Sequence, residues 1–433
     1  MIGSAAMRTW SVAFLILAAC GGGGKPSAPE VNDPAYTITG KEWYLVGNAA
    51  TPGDETIKIV IDAKPGTKTI EAWIGEADPV PLVEQADGSF ALEMPAADLP
   101  VGDYEVLLVA NDSSKAFAKT GLHRSAPYYV LVTTDWDFSD PGNPANDYQT
   151  QMHVDHPELV MTHFVGPYTF TDPNVMAARK AELVAWLLMM RDTYKDEIGL
   201  HIHPYCHFVE SAGLTCIIDQ STVYNSNDPS GYTIKLSAYT REQMGTLLDH
   251  ANMLFEQNGL NRTRTFRAGG WTASLATLQA LADKGFIADT SALNWARIEE
   301  WKDMRNGELY RWNMSNWNPI GDVSQPYWVS ESNVLTNDAP TMPILEVPDN
   351  GVMIDYVTLE EMNGLFDTNW DRKAFETPRT LMMGFHPATP GFSAAEYGRV
   401  DGFLDYADAY LAAHGTGPVV YITLEDVVDA FEP

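Results

Sequence analysis

Three of the ten histidines in the chain fall within residues 201–207: His201, His203 and His207. On a strand, side chains alternate between faces, so His201 and His203 would point the same way. His203 and His207 lie four apart, a spacing that lets two imidazoles share one cation across a turn. Two imidazoles and one carboxylate suit zinc or another borderline transition metal, with one position left open for water. Such a cation lowers the pKa of water enough for attack on a carbonyl near neutral pH. Carboxylates are at hand in Thr134-Asp135-Trp136-Asp137, where the two Asp residues would share a strand face. One could bind the cation while the other takes a proton from water.

Those residues need elements to bring them together. Residues 128–134 form a continuous apolar run, the pattern of a parallel strand buried on both faces. Strand patterns recur at 197–203, 265–267, 286–290, 381–386 and 419–423. Helical patterns fill the gaps at 175–194, 240–258, 275–283, 359–366 and 403–413. Thr240 and Gln243 are spaced as a capping box, and Gly285 reads as a helix stop. This alternation indicates a parallel α/β barrel or sheet, in which sites form at the carboxyl ends of strands. The predicted strand ends carry Asp135 and Asp137, the three histidines, Arg267 with Trp271 just beyond, Asp289, and His386. Residues 290–350 are irregular, and Trp295, Trp301, Trp312, Trp317 and Trp328 read mainly as packing for that excursion. His163 and His250 read as hydrogen-bonded core residues.

The N-terminal part is different in kind. Residues 35–125 show short alternating strands at 56–63, 69–76 and 104–110, with a hairpin signal at Asp87-Gly88. This indicates a small β-sandwich, read as an Ig-like spacer. Arg8 precedes an apolar run at 12–19 that is too short to span a bilayer and reads as a signal segment. Leu17-Ala18-Ala19-Cys20 resembles a bacterial lipobox, which implies a lipid on Cys20, a signal peptide at 1–20 and a flexible tether at 21–34. Gly21 after the cysteine points to the outer membrane. In such an oxidising envelope Cys206 and Cys216 could form a disulfide. Lys and Arg number 27 against 58 Asp and Glu, a net charge of −31, which argues against nucleic acid as a partner.

Over residues 126–433 the order and content of the strand ends resemble the five motifs of the polysaccharide deacetylase family of carbohydrate esterases. The family's first motif, Thr-x-Asp-Asp, is matched with Trp136 between the two carboxylates. The resemblance implies Asp135 as base and Asp137 as metal ligand. Its second motif is His-x-x-x-His after Glu-Ile-Gly; Glu197-Ile198-Gly199 is present, and His203 and His207 have the spacing. His201 holds the family's first ligand position, but Tyr205 stands four residues on. Either His201 or His203 is then the first ligand, with the other beside it. Arg267 of Arg-Ala-Gly-Gly-Trp would steady the base, and Trp271 and Tyr205 would line the substrate groove. Asp289 would orient His386, the general acid for the leaving amine. The implied protein is an irregular (β/α) barrel behind an Ig-like sandwich, a lipid-anchored enzyme of the cell envelope. It would use Zn2+ to remove N-acetyl or O-acetyl groups from a glycan. The departures in the first two motifs suggest an alternative, a non-catalytic glycan-binding lipoprotein on the same barrel. A third reading is a glycoside hydrolase of related barrel fold.

Overall fold

In a computed structural model, residues 25–218, 228–304 and 307–431 are described. The signal-peptide and Cys20 readings, and the first part of the tether, fall outside them. The C-terminal part is built on one sheet of nine strands. In chain order these are β1 (Tyr128–Asp135), β2 (Met161–Val165), β3 (Glu197–Ile202), β4 (Thr265–Ala268), β5 (Ala288–Asp289), β6 (Tyr327–Ser330), β7 (Thr341–Glu346), β8 (Arg379–Phe385) and β9 (Val419–Tyr421). The spatial order is β6-β7-β5-β4-β3-β2-β1-β8, with β9 on β1. Every pairing is parallel except that of β6 with β7. β9 takes the start of β1 at Tyr128–Val130 and β2 takes its end at Val132–Asp135. All eight residues of β1 are buried, as the apolar run requires.

Among the described residues ten α-helices connect and cover these strands: α1 (Asn143–Asp155), α2 (Tyr168–Thr171), α3 (Ala177–Met189), α4 (Cys206–Ser211), α5 (Arg241–Gln257), α6 (Leu275–Asp283), α7 (Gly307–Trp317), α8 (Leu359–Asn369), α9 (Ala394–Asp408) and α10 (Leu424–Val427). The local chemistry sets their starts. α5, α6, α8 and α9 each open with a reciprocal capping box, from Thr240, Ser274, Thr358 and Ser393. Each cap is worth about 1 kcal/mol. On α5, Met244, Leu247, Leu248, Ala251 and Phe255 form the buried stripe, the 3–4 spacing of a helix with one apolar face. Gly285 closes α6 at φ +77°, as its position suggests.

Several elements have no counterpart in the sequence reading. α1 buries Asn146, Gln149 and His153, so no apolar stripe marks it. In β2, Thr162 and His163 interrupt the apolar run. The stretch read as irregular holds α7, β6 and β7. Trp295 and Trp317 within it are buried, packed rather than presented.

Residues 37–125 form short strands in a four-stranded and a five-stranded sheet. Thr56–Asp62 buries Ile57, Ile59 and Ile61 and exposes or half-exposes the residues between. Ile70–Ile74 buries Ile70, Ala72 and Ile74 on one face. Val83–Glu84 pairs antiparallel with Phe90–Pro95 around Asp87-Gly88, where Gly88 has φ +86°. The described residues divide into two compact units whose boundaries run through these strands: one takes those up to 38, 60–92 and 105–120, and the other 39–59, 93–104 and those from 121 on. Among the described residues no helix is long and apolar enough to cross a membrane.

Candidate metal centre

The parallel register sets the strand ends side by side. His201 on β3 is the lateral partner of Arg267 on β4, and Thr134 on β1 lies between His163 on β2 and Phe385 on β8. Beyond β1, Trp136 is buried against Trp186 and anchors the backbone that presents Asp137. Tyr168, which opens α2, donates its hydroxyl to the Trp136 carbonyl.

Asp137, His201 and His203 bring one donor atom each to within 4.8 Å of one another. Nε2 of both histidines lies 3.2 Å from Asp137 Oδ1. The outer nitrogens fix the tautomers. His201 Nδ1 donates to the Arg267 carbonyl at 3.0 Å, and His203 Nδ1 donates to the Tyr232 carbonyl at 3.0 Å. A carbonyl can only accept, so Nδ1 of each ring carries a proton and Nε2 is the ring atom turned toward Asp137. Two imidazole Nε2 atoms and a carboxylate oxygen thus converge on one point. The donor set and its outer hydrogen bonds fit a borderline divalent cation. The Tyr232 hydroxyl donates to Asp137 Oδ2 at 2.8 Å, and the Tyr205 hydroxyl donates to the Asp137 carbonyl at 3.1 Å. Burial alone would raise the Asp137 pKa, but the facing His386, His203 and His201 hold it well below the usual carboxylate range. Gly269, just after β4, allows the close packing: a Cβ there would sit 2.7 Å from Cγ and Nδ1 of His203.

Both His201 and His203 belong to the cluster with Asp137. His207, expected as a ligand, is not with them. The chain leaves β3 at Ile202 and turns into α4 at Cys206, which swings His207 to Thr171, with Nδ1 2.8 Å from its hydroxyl oxygen. Burial lowers the His207 pKa. Cys206 and Cys216 form a disulfide, with Cα atoms 5.0 Å apart.

Two further groups flank the cluster. Arg267 is fully buried; its Nη1 donates to Asp135 Oδ1 at 2.8 Å and to Thr133 Oγ1 at 2.9 Å, and its Nη2 lies 3.5 Å from Asp349 Oδ2. Asp349 is buried as well, and burial pushes its pKa up to about 6 against the lowering pull of Arg267. On the other side, His386 places Nε2 3.8 Å from Asp137 Oδ1. Its Nδ1 donates to Asp355 Oδ2 at 2.7 Å. Burial would lower the His386 pKa, yet the carboxylates of Asp137, Asp355 and Asp135 raise it to about 10. Trp271, at φ +55°, meets His386 edge to face, with centroids 6.1 Å apart.

The expectation that Asp289 orients His386 is corrected, because that partner is Asp355. Asp289 ends a two-residue strand, accepts from Ser291 Oγ at 2.9 Å and faces Glu346 across the β5–β7 register. Burial, and then the Asp289 charge, push Glu346 well above the usual carboxylate range. Asp355, Tyr232 and Asp349 were not singled out in the sequence. Asp355 and Tyr232 lie outside helices and strands, and Asp349 lies beyond the end of β7, so no periodicity marks them. His163 is a core residue as read, bonded to Thr134 and to the buried Asp196.

No family model and no curated protein matches this chain. Solved structures do overlay on part of it. A Mycobacterium smegmatis protein assigned as a polysaccharide deacetylase aligns over 70% of this chain and 89% of its own, at 13% identity and a TM-score of 0.41. A family 4 carbohydrate esterase from Streptomyces lividans, in complex with acetate, aligns over 71% of this chain and 99% of its own, at 10% identity and a TM-score of 0.35. A family 4 pseudoenzyme from Bacillus anthracis aligns over 68% of this chain and 64% of its own, at 10% identity and a TM-score of 0.32. Identities this low leave the function to be read from the side chains.

Proposed function

We propose that the protein is a divalent-cation-dependent hydrolase that removes an acetyl group from an amino sugar of a glycan. The observation that carries this reading is the convergence of Asp137, His201 and His203, with both Nδ1 protons already committed to carbonyls. A cation bound there, zinc by donor preference, would polarise the acyl oxygen and make water a better nucleophile. The chain's own groups supply the proton transfers. Asp135, fixed by Arg267, takes the proton from water as the new C–O bond forms. His386, held by Asp355, gives a proton to the nitrogen as the C–N bond breaks. The products are acetate and the free amine. Trp271 supports His386 and closes that side of the site. Export and a lipid on Cys20 complete the proposal and would place the enzyme at the cell envelope among acetylated glycans.

The test is acetate release from N-acetylated chito-oligosaccharides by the zinc-loaded protein. Release that stops on chelation, and in Asp135→Asn with zinc retained, supports the reading. Zinc bound but no acetate from any acetylated glycan overturns it.

A further inference from the structure

Tyr232 touches two of the three donor residues in three ways. Its hydroxyl donates to Asp137 Oδ2 at 2.8 Å, and its carbonyl accepts from His203 Nδ1 at 3.0 Å. Its ring stacks on the His203 imidazole, with centroids 4.4 Å apart and planes 28° from parallel. The ring also stacks with that of Phe138, next to Asp137, at 5.9 Å between centroids, and Phe138 is 50% exposed. With Oδ2 occupied by the phenol, Oδ1 is the Asp137 oxygen left to face both histidines. Yet Tyr232 belongs to no helix or strand, so something else must hold it.

The holding group is the disulfide. Cys206 N donates to the Ser230 carbonyl at 2.7 Å, and Cys206 Sγ lies 3.6 Å from the Pro229 carbonyl. Tyr232 N donates back to Ser230 Oγ at 3.1 Å. Between them Gly231, at φ +84°, lies so close that a Cβ would come within 2.4 Å of the Pro204 carbonyl and 3.1 Å of Cys216 Sγ. Residues 229–232 therefore lie directly against the bridged cysteines.

From these contacts we infer that Tyr232 is a positioning residue for the cation centre, and that the Cys206–Cys216 disulfide fixes the segment that delivers it. This rests on the metal-centre reading above. Hydrogen-bond partners of metal ligands typically change affinity by about 10–100-fold. Tyr232→Phe removes one hydroxyl and keeps the ring and carbonyl. The cysteines are replaced together, as Cys206→Ser/Cys216→Ser.

The experiment is titration of the full-length apoprotein with Co2+, followed by visible absorption and by competition with a chromophoric chelator. Circular dichroism confirms the fold of each variant. Tyr232→Phe should bind about tenfold more weakly, with a shifted ligand-field band. The double serine variant should shift the same band, and Gly231→Ala supplies the same displacement should the serine pair fail to fold. Wild-type affinity and band in Tyr232→Phe would overturn the role of Tyr232. Wild-type affinity and band in the folded disulfide variant would overturn the role of the bridge, and the same result in Gly231→Ala would overturn the close packing of residues 229–232 against it. Failure of the wild type itself to bind Co2+ or Zn2+ would overturn the metal-centre reading, and this inference with it.

Discussion

Replacing Arg267 with methionine takes away the cation that faces two buried carboxylates. Asp135 lies 2.8 Å from its Nη1 and Asp349 lies 3.5 Å from its Nη2. All three side chains are essentially without solvent contact. Methionine can follow the aliphatic path over Phe164, so the change isolates charge from volume. Breaking a buried ion pair by removing one partner costs about 3–5 kcal/mol. The loss should depend on pH, and the sign follows from Asp349. Burial raises its folded pKa from 3.8 to about 6 even with Arg267 present. The folded state then holds a proton that the unfolded state releases, so stability falls as pH rises through that window, by about 3 kcal/mol. Without Arg267 the folded pKa climbs further, and the window widens upward. The deficit of Arg267→Met against wild type should therefore be larger at pH 7.5 than at pH 5. Asp349→Asn, added to Arg267→Met, should recover part of it at pH 7.5. Urea unfolding followed by tryptophan fluorescence at the two pH values measures this. A deficit below about 1 kcal/mol at pH 7.5, or one equal at both pH values, would refute the reasoning.

Three other outcomes follow from the same geometry. Burial raises Glu197 from 4.5 to about 7 against hydrogen bonds from Thr265, the Glu425 amide and Thr162, so the wild type should lose about 3 kcal/mol between those pH values. Glu197→Gln should flatten that part of the urea-midpoint profile. Gly269→Ala puts a methyl 2.7 Å from the His203 ring and should weaken zinc binding at least tenfold in a chelator competition. Asp355→Asn leaves the cation donors intact but removes the carboxylate on His386 Nδ1, so kcat for acetate release should fall about 10²-fold or more with zinc content unchanged.

Sequence periodicity reached as far as the strands do. The alternation of β3 put His201 and His203 on one face, and that is the pair found with Asp137. The four-residue spacing of His203 and His207 pointed the other way. It fails because Pro204-Tyr205 ends the strand geometry and α4 begins at Cys206, so the spacing counts across a corner. Arg267 beside Asp135 was expected from the family resemblance alone, and both sit on buried strands of the parallel sheet. Asp355 and Tyr232 were not, since loop residues reach a site through tertiary packing that no local pattern encodes. Asp289 sat at a strand end as expected, but its carboxylate is taken up by Ser291 and Glu346. Helix α5 was readable from its capping box and α6 from the Gly285 stop at its end, whereas α1, with Asn146, Gln149 and His153 inward, was not.

The central claim is that Asp137, His201 and His203 hold one divalent cation and that His207 does not. Zinc content per chain, measured by elemental analysis after reconstitution and desalting, tests it most directly. The account predicts one zinc in the wild type and in His207→Ala, and none retained in His201→Ala or His203→Ala. Zinc lost from His207→Ala, or retained in either of the other two variants, would contradict it.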